Sequence, residues 1–302
     1  MNTETAGHTF VDLPGAGLEL AADRWSGDAI RHKGIVVLLH GGGQTRHSWR
    51  ATGERLGRLG WIAYAVDLRG HGDSEWDERG TYGLSAYLGD LLSMVTEIRR
   101  RDPGLPVALV GASLGGLISL LATGENPGFA QAVVLVDVVV RVEVTGSGRV
   151  RDFMMSAPDG FASLEEASDA IASYNPHRRR TGNLDGLKKN LRLRGDRWHW
   201  HWDPRSIQID YNPTNPELPN GEVAYERSKN AARAITCPVL VVRGMASDVV
   251  SDEGVAEMRD LIRQTRVVDV REAGHMVAGD DNDVFTVGLI DFLDASIPDV
   301  PR

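Results

Sequence analysis

The chain has 302 residues and a formal net charge of −9 at pH 7. This acidic balance argues against general nucleic-acid binding, because no surplus of lysine and arginine is present to neutralise phosphates. Cys237 is the only cysteine, which excludes an intrachain disulfide and a cysteine-based zinc cluster. The first ten residues lack the basic and apolar regions of a secretory signal, and the apolar run 132–140 is short and contains Asp137. We therefore expect a cytoplasmic protein.

Predicted strands and helices alternate along most of the chain. The predicted strands cover residues 9–25 (two strands around a turn at 14–17), 34–39, 61–66, 107–110, 132–140, 238–243 and 266–270. The predicted helices cover residues 44–59, 84–100, 117–123, 252–263 and 282–294. Alternation of this kind favours a mostly parallel sheet with helices on both faces.

The alternation breaks off between residues 141 and 234. A capping-box pattern at 163–166 and a leucine stripe over 184–191 predict helices inside this segment. An insertion between two sheet strands suggests a lid over a functional site. The predicted domains are thus a core of residues 1–140 and 235–302, and a lid of residues 141–234.

Residues 111–116 read Gly-Ala-Ser-Leu-Gly-Gly and lie between a predicted strand and a predicted helix. In a G-x-S-x-G turn the glycines permit a bend too tight for side chains. Such a turn holds Ser113 above the carboxyl ends of the strands and leaves the backbone N–H of Leu114 free to meet an oxyanion. Ser113 is therefore the candidate nucleophile; the alternative is a glycine-rich turn with an idle serine.

Four motifs occur in a fixed order. They are HGGG at 40–43 with Trp49 beyond it, DLRGHGDS at 67–74, GASLGG at 111–116 and GH at 274–275. With these motifs the chain resembles the α/β-hydrolase superfamily, in particular its lidded esterase, cofactor-independent haloperoxidase-like and C–C hydrolase branches. The resemblance implies an α/β-hydrolase fold, in which helices cover both faces of a mostly parallel twisted sheet and a helical lid is inserted between sheet strands.

The family order of the catalytic residues is serine, acid, histidine. It points to His275 as the base, because His275 alone combines a flanking glycine with a position after the last strand. It points to Asp248 as the acid, a few residues past the strand 238–243. Two carboxylates compete with it: Asp137, where some relatives carry the acid and where a structural hydrogen bond is also plausible, and Asp252, which has the place of a helix N-cap.

An oxyanion hole requires two N–H groups aimed at the developing negative charge. Leu114 supplies one, and the glycine loop supplies the other, with Gly42 as the first choice and an uncertainty of one position. Further candidates for contact with the substrate are Gly43, Trp198, Trp200 and Met276. For the alternating stretch 198–202, the alternative is a lid segment that buries its tryptophans against the core.

The lid is rich in charge between residues 177 and 205, with nine basic and three acidic residues. Solvated helix faces explain most of them; the alternative is that one arginine holds a substrate carboxylate. Metal-ligand residue types occur in the loop 67–74 and at His199 and His201. The family parallel makes the loop structural, however, and no acidic or thiol pattern accompanies the two histidines. No metal and no cofactor is expected.

We therefore predict a serine hydrolase that cleaves a carboxylic ester or lactone of a small organic molecule through an acyl-enzyme. A serine at the elbow argues against epoxide hydrolase and haloalkane dehalogenase chemistry, which use a carboxylate nucleophile. The alternatives are C–C bond hydrolysis of a diketone acid, haloperoxidase-like perhydrolysis, and a non-catalytic ligand-binding protein of the same fold. The expected partner is the small-molecule substrate, without nucleic acid or membrane, and the oligomeric state (monomer or homodimer) is open.

Overall fold

The computed structural model describes residues 7–29, 31–174, 184–208, 221–271 and 283–297. The strands in these ranges are β1 His8–Pro14, β2 Glu19–Trp25, β3 Ile35–Leu39, β4 Ile62–Val66, β5 Val107–Ala112, β6 Ala132–Val136, β7 Leu191–Arg194, β8 Arg197–Trp200, β9 Val239–Gly244 and β10 Thr265–Val270. The α-helices are α1 Arg50–Arg58, α2 Leu84–Arg101, α3 Leu114–Glu125, α4 Val144–Met154, α5 Leu164–Tyr174, α6 Arg205–Gln208, α7 Gly221–Ala234, α8 Asp252–Leu261 and α9 Asp283–Ser296. Two 3₁₀ helices cover Arg46–Trp49 and Leu184–Lys189.

Eight of the strands form one sheet in the order β1-β2-β4-β3-β5-β6-β9-β10. The pairs β1–β2 and β2–β4 are antiparallel, and the remaining neighbours are parallel. Strands β3 to β6 are buried along their whole length, as near-continuous apolar strands of a sheet covered on both faces are. The carboxyl ends of β3, β5 and β6 consequently meet at one edge of the sheet, where a site can form.

Helices cover both faces of the sheet. On one face, α2, α3, α7 and α8 pack in a core that includes Val37 and Leu39 of β3. On the other face, α1 and α9 pack in a second core that includes Val36 and Leu38. Successive residues of a strand point to opposite faces, so one apolar run serves both cores. The predicted mostly parallel sheet with helices on both faces is confirmed.

Two predicted elements differ from the observed ones. The strand predicted over 132–140 ends at Val136, because Asp137 adopts a left-handed backbone conformation with φ 50°. The valines that follow are still buried, so their apolar character reflects packing rather than a strand. The leucine stripe over 184–191 forms a 3₁₀ helix and then strand β7 instead of one α-helix.

The segment predicted as the lid lies between β6 and β9, which are neighbours in the sheet. It contains α4, α5 and the β7–β8 hairpin. Its last helix, α7, packs closely on α3: a Cβ on Gly124 would lie 2.1 Å from the carbonyl oxygen of Ala231. The limits of the lid at residues 141 and 234 remain a prediction. Across the described ranges, no helix has both the length and the hydropathy needed to cross a membrane.

Candidate active site

Ser113 occupies a sharp turn between β5 and α3. Its backbone angles are φ 45° and ψ −112°, a left-handed region that non-glycine residues avoid. The turn is possible because residue 111 is a glycine: a Cβ there would lie 2.3 Å from the carbonyl carbon of Gly115. The N–H of Ser113 donates to the carbonyl oxygen of Val136 at 2.9 Å, which fixes the turn to β6. Backbone strain of this kind is concentrated at functional sites.

The glycine loop that follows β3 lies against Ser113. A Cβ on Gly41 would lie 3.3 Å from the Cβ of Ser113. The carbonyl oxygen of Gly41 accepts hydrogen bonds from Nδ1 of His40 at 2.7 Å and from the N–H of Gln44 at 3.2 Å. Because a trans peptide is planar, these two bonds turn the N–H of Gly42 in the opposite direction.

The other two glycine amides of the loop already have acceptors. The N–H of Gly41 donates to Oε1 of Gln44 at 3.0 Å, and the N–H of Gly43 donates to Nε2 of His71 at 3.2 Å. Among the residues that the structure describes, neither Gly42 nor Leu114 has an acceptor for its N–H. These two amides are therefore available to an incoming oxygen.

Two buried histidines lie beneath this loop, with their ring centroids 5.1 Å apart. Burial lowers the pKa of His40 to about 4. Burial and then the neighbouring His40 lower the pKa of His71 to about 3. Both imidazoles are therefore neutral at pH 7 and offer one donor and one acceptor each.

The two candidate acids have different surroundings. Asp137 is 1% exposed, and it follows Val136, which pairs with Ala112 of the elbow strand. Its carboxylate accepts hydrogen bonds from the N–H of Gly244 at 3.2 Å and from the hydroxyl of Ser247 at 2.5 Å.

Asp248 lies in the loop after β9, with its side chain 31% exposed. Its carboxylate forms an ion pair with Arg149 of α4 at 2.9 Å. The third candidate, Asp252, is the first residue of α8; the N-cap is Ser251, whose hydroxyl accepts from the N–H of Gly254. The expectation that Asp252 caps the helix is thus corrected by one position.

An aromatic cluster belongs to the segment predicted as the lid. The rings of Trp200 and Trp202 stack at 4.6 Å, and Trp200 meets Phe153 and Phe161 edge-on. Phe153 in turn stacks on Tyr174 at 4.2 Å. Trp200 and Trp202 are therefore buried, as the alternative interpretation of the stretch 198–202 predicts.

The remaining predicted contact residues lie at different places. Gly43 is covered by α4, because a Cβ there would lie 2.9 Å from Cε of Met154. Trp198 lines a surface depression together with Ser163 and Leu184. The predicted base His275 and its neighbour Met276 lie outside the described residues.

The four described arginines between residues 177 and 205 interact within the chain. Arg192 pairs with Asp73, Arg205 pairs with Asp203, Arg197 donates to backbone carbonyls, and Arg194 lies over the ring of Trp76. Arg178, Arg179 and Arg180 lie outside the described residues. A substrate-binding arginine therefore remains a prediction.

Comparison with known proteins decides the family. A family model described as serine aminopeptidase, S33, matches residues 30–165. The esterase Rv0045c of Mycobacterium tuberculosis is 31% identical over 268 residues, which span 86% of this chain and 82% of that protein. The chain belongs to the α/β-hydrolase superfamily.

A further relative and a solved structure agree with the assignment of this chain to the α/β-hydrolase superfamily. The 3-hydroxybutyrate-oligomer hydrolase of Cupriavidus necator is 28% identical over 270 residues, which span 86% of this chain and 88% of that protein. An α/β hydrolase from Novosphingobium aromaticivorans has a crystal structure that superposes with a TM-score of 0.77. It is 24% identical and the superposition covers 96% of this chain and 99% of that one, a likeness of the fold alone. The predicted superfamily and fold are confirmed.

The contact between His71 and the glycine loop was not predicted from the sequence. The loop 67–74 was interpreted as structural, with its glycines as turn residues. One signal was available: the strand before this loop, β4, pairs directly with β3, which precedes the glycine loop. Loops that follow adjacent parallel strands lie side by side, so a histidine in one is within reach of the other.

The buried neutral histidines predict a stability that depends on pH. Their pKa values in the fold lie below the unfolded value of 6.5. The stability that depends on the neutral forms is complete above that value and is lost as the pH falls toward 4. We expect His71→Gln to make the decline of the unfolding free energy shallower by about 1 kcal/mol per pH unit between about pH 4 and 6. Urea unfolding at several pH values measures this slope. If the unfolding free energies of the wild type and His71→Gln changed in parallel with pH, the buried His71 would not have a lowered pKa in the fold.

Proposed function

We propose that this α/β hydrolase is a serine esterase that cleaves the carboxylic ester or lactone of a small organic molecule through an acyl-enzyme. The observation that carries the proposal is the strained turn at Ser113, with Gly41 of the glycine loop against its side chain. The esterase relative, 31% identical over most of both chains, supports the same reaction class. A folded protein has no structural need for a serine in a left-handed turn, so a catalytic role explains its presence.

In the proposed reaction, Oγ of Ser113 attacks the ester carbonyl carbon while His275 accepts the hydroxyl proton. The negative oxygen that results receives hydrogen bonds from the N–H groups of Leu114 and Gly42. Collapse of the tetrahedral intermediate breaks the bond to the alcohol, which takes the proton from His275. Water, deprotonated by His275, then releases the acid and restores Ser113. The role of His275 rests on its place in the family order.

For the acid that orients His275, we place Asp137 ahead of Asp248, the residue favoured by the sequence pattern. Three features support Asp137: its burial, its position level with Ser113 directly after the neighbouring strand, and its left-handed backbone. Asp248 is more exposed, and its carboxylate pairs with Arg149.

We place an apolar part of the substrate beneath the end of α4. Met154 there covers Gly43, and Phe153 begins the aromatic cluster that contains Trp200. Apolar and aromatic walls with a few fixed polar groups are typical of small-molecule sites. This arrangement agrees with the prediction that Gly43 and Trp200 lie near the substrate, and it favours esters with an apolar acyl group.

Intact-mass labelling with a fluorophosphonate tests the nucleophile. We expect one phosphonyl group on the wild type and none on Ser113→Ala, because the reagent reacts with an activated serine. The folded state of both proteins is compared by circular dichroism. A series of p-nitrophenyl esters of increasing acyl length then measures which chains the site accepts.

The other possible results of these two experiments distinguish the alternative functions. If neither protein is labelled and no ester is cleaved, the esterase proposal fails and a ligand-binding role takes its place. If Ser113→Ala is labelled as well, the nucleophile is another residue. Labelling of the wild type together with cleavage of a diketone acid but of no ester would favour the C–C hydrolase alternative.

A pair of isosteric variants tests the acid. We expect Asp137→Asn to lower kcat by at least about 100-fold, because the amide holds the imidazole in the wrong tautomer and does not stabilise its cation. We expect Asp248→Asn to lower kcat less than about tenfold, since it breaks an exposed ion pair with a lid helix. Steady-state kinetics on one p-nitrophenyl ester measures both.

The reverse order of effects would restore Asp248 as the acid. Arg149→Gln is the matched control for the ion pair, because it removes the same salt bridge and leaves both carboxylates in place. If it reproduces the loss seen in Asp248→Asn, that loss comes from the ion pair and not from the orientation of His275.

A further inference from the structure

His71 lies where two parts of the molecule meet. Its side chain reaches the glycine loop, where Nε2 lies 3.2 Å from the backbone nitrogen of Gly43. Its backbone forms an antiparallel bridge with Trp202, directly after the β7–β8 hairpin of the lid. The next residue, Gly72, donates its N–H to the carbonyl oxygen of His201 at 2.8 Å. One residue thus connects the lid to the loop over the nucleophile.

The two hydrogen bonds of the imidazole define its tautomer. Nδ1 lies 3.0 Å from the carbonyl oxygen of Arg69, which only accepts, so Nδ1 carries the proton. Nε2 then has a lone pair, and it accepts the hydrogen bond from Gly43. The ring is buried, and its low pKa keeps this arrangement at neutral pH. If the ring were protonated, Nε2 would carry a hydrogen and face the N–H of Gly43. Two donors would then oppose each other, and the hydrogen bond would be lost.

The bond to Gly43 has a geometric consequence for Gly42. The Gly42–Gly43 peptide is held by His71, and the Gly41–Gly42 peptide is held by His40 and Gln44. The N–H of Gly42 lies in the Gly41–Gly42 plane, and the Gly42–Gly43 plane joins it at the Cα of Gly42. The bond from Gly43 to His71 therefore restricts the backbone rotation at Gly42 that would turn this N–H away. Gly43 has φ +73°, and without a restraint a run of three glycines samples many orientations.

We infer that His71 is a positioning residue of the oxyanion hole: its Nε2 holds Gly43 so that the N–H of Gly42 points at the developing oxyanion, while the backbone bridge to Trp202 holds His71 in place. This inference rests on the proposed function and adds a residue to it. His71 touches neither the substrate nor the reacting atoms. Its effect on the reaction passes through the glycine loop alone.

Two variants that each keep one of the two hydrogen bonds test the inference. The amide oxygen of His71→Gln reaches the place of Nε2 and accepts from Gly43. The shorter amide of His71→Asn reproduces the donor at Nδ1 toward Arg69 and leaves the N–H of Gly43 without an acceptor. A purely structural role predicts similar losses in both, because both remove the ring.

We expect His71→Asn to lower kcat by about 10-fold to 100-fold, because a misdirected oxyanion donor costs transition-state binding. Its KM is expected to stay within about twofold, since the ground-state ester is bound elsewhere. The rate of fluorophosphonate labelling should fall in parallel with kcat. For His71→Gln, recovery to within about fivefold of the wild-type kcat is expected.

The matched control is His201→Asn, a buried histidine on the lid side of the same contact. It removes a ring without touching the glycine loop, and its kcat is expected to stay within about twofold of wild type. Thermal unfolding midpoints of all three variants show how much each substitution costs in stability.

The results separate this inference from the proposed function. An unlabelled wild type overturns the esterase proposal itself. A labelled wild type with an unchanged kcat in His71→Asn overturns the inference, and so do equal losses of kcat in His71→Asn and His71→Gln. A rise in KM at constant kcat would place His71 in substrate binding instead and would also overturn it.

Discussion

The absence of side chains at Gly111 and Gly115 is the constraint on which the site depends. A Cβ on Gly115 would lie 2.5 Å from the carbonyl oxygen of Leu39, the last residue of β3. The elbow therefore rests directly on the strand that leads into the glycine loop. This close approach brings Ser113 and Gly41 together, and it leaves the amides of Leu114 and Gly42 without acceptors among the described residues. The positions of the proposed nucleophile and of the proposed oxyanion donors are thus products of backbone packing.

The segment predicted as the lid meets the core through polar contacts near the same loop. Thr45, at the end of the glycine loop, donates to Asn190 at 2.8 Å, and Arg192 donates to Asp73 at 3.0 Å. A short bond joins the hydroxyl of Tyr82 to Asp203. With the bridge between His71 and Trp202, these contacts set the position of the lid hairpin against the two loops that follow β3 and β4. The hairpin and the glycine loop are therefore joined by one network of contacts.

Most of the core was predictable, because its signals are local. The apolar runs and the turn of 111–116 specify β3 to β6 and the elbow without reference to the rest of the chain. The end of β6 was not predictable, since Val138 to Val140 are as apolar as the strand, and only the backbone of Asp137 shows that the strand has ended. The link between His71 and Gly43 joins residues 28 positions apart, and no local pattern encodes it.

Among the candidate acids, the sequence favours Asp248, because its place after the strand 238–243 matches the usual acid loop of the family. Burial and strand register are tertiary properties: Asp137 is buried, and the pairing of Val136 with Ala112 places it level with Ser113. The identity of the oxyanion glycine was similarly open in the sequence. The proposal of Gly42 is supported by the hydrogen bonds that His40, Gln44 and His71 form with Gly41 and Gly43.

The central claim of this account is that Ser113 attacks beneath the amides of Leu114 and Gly42. A crystal structure of the enzyme inactivated by a phosphonate tests it most directly, because the phosphonyl oxygen occupies the place of the oxyanion. We predict a covalent bond to Oγ of Ser113, with the phosphonyl oxygen about 2.7–3.1 Å from both backbone nitrogens. An adduct on another residue, or an oxygen directed at Gly43 or into solvent, would contradict the account.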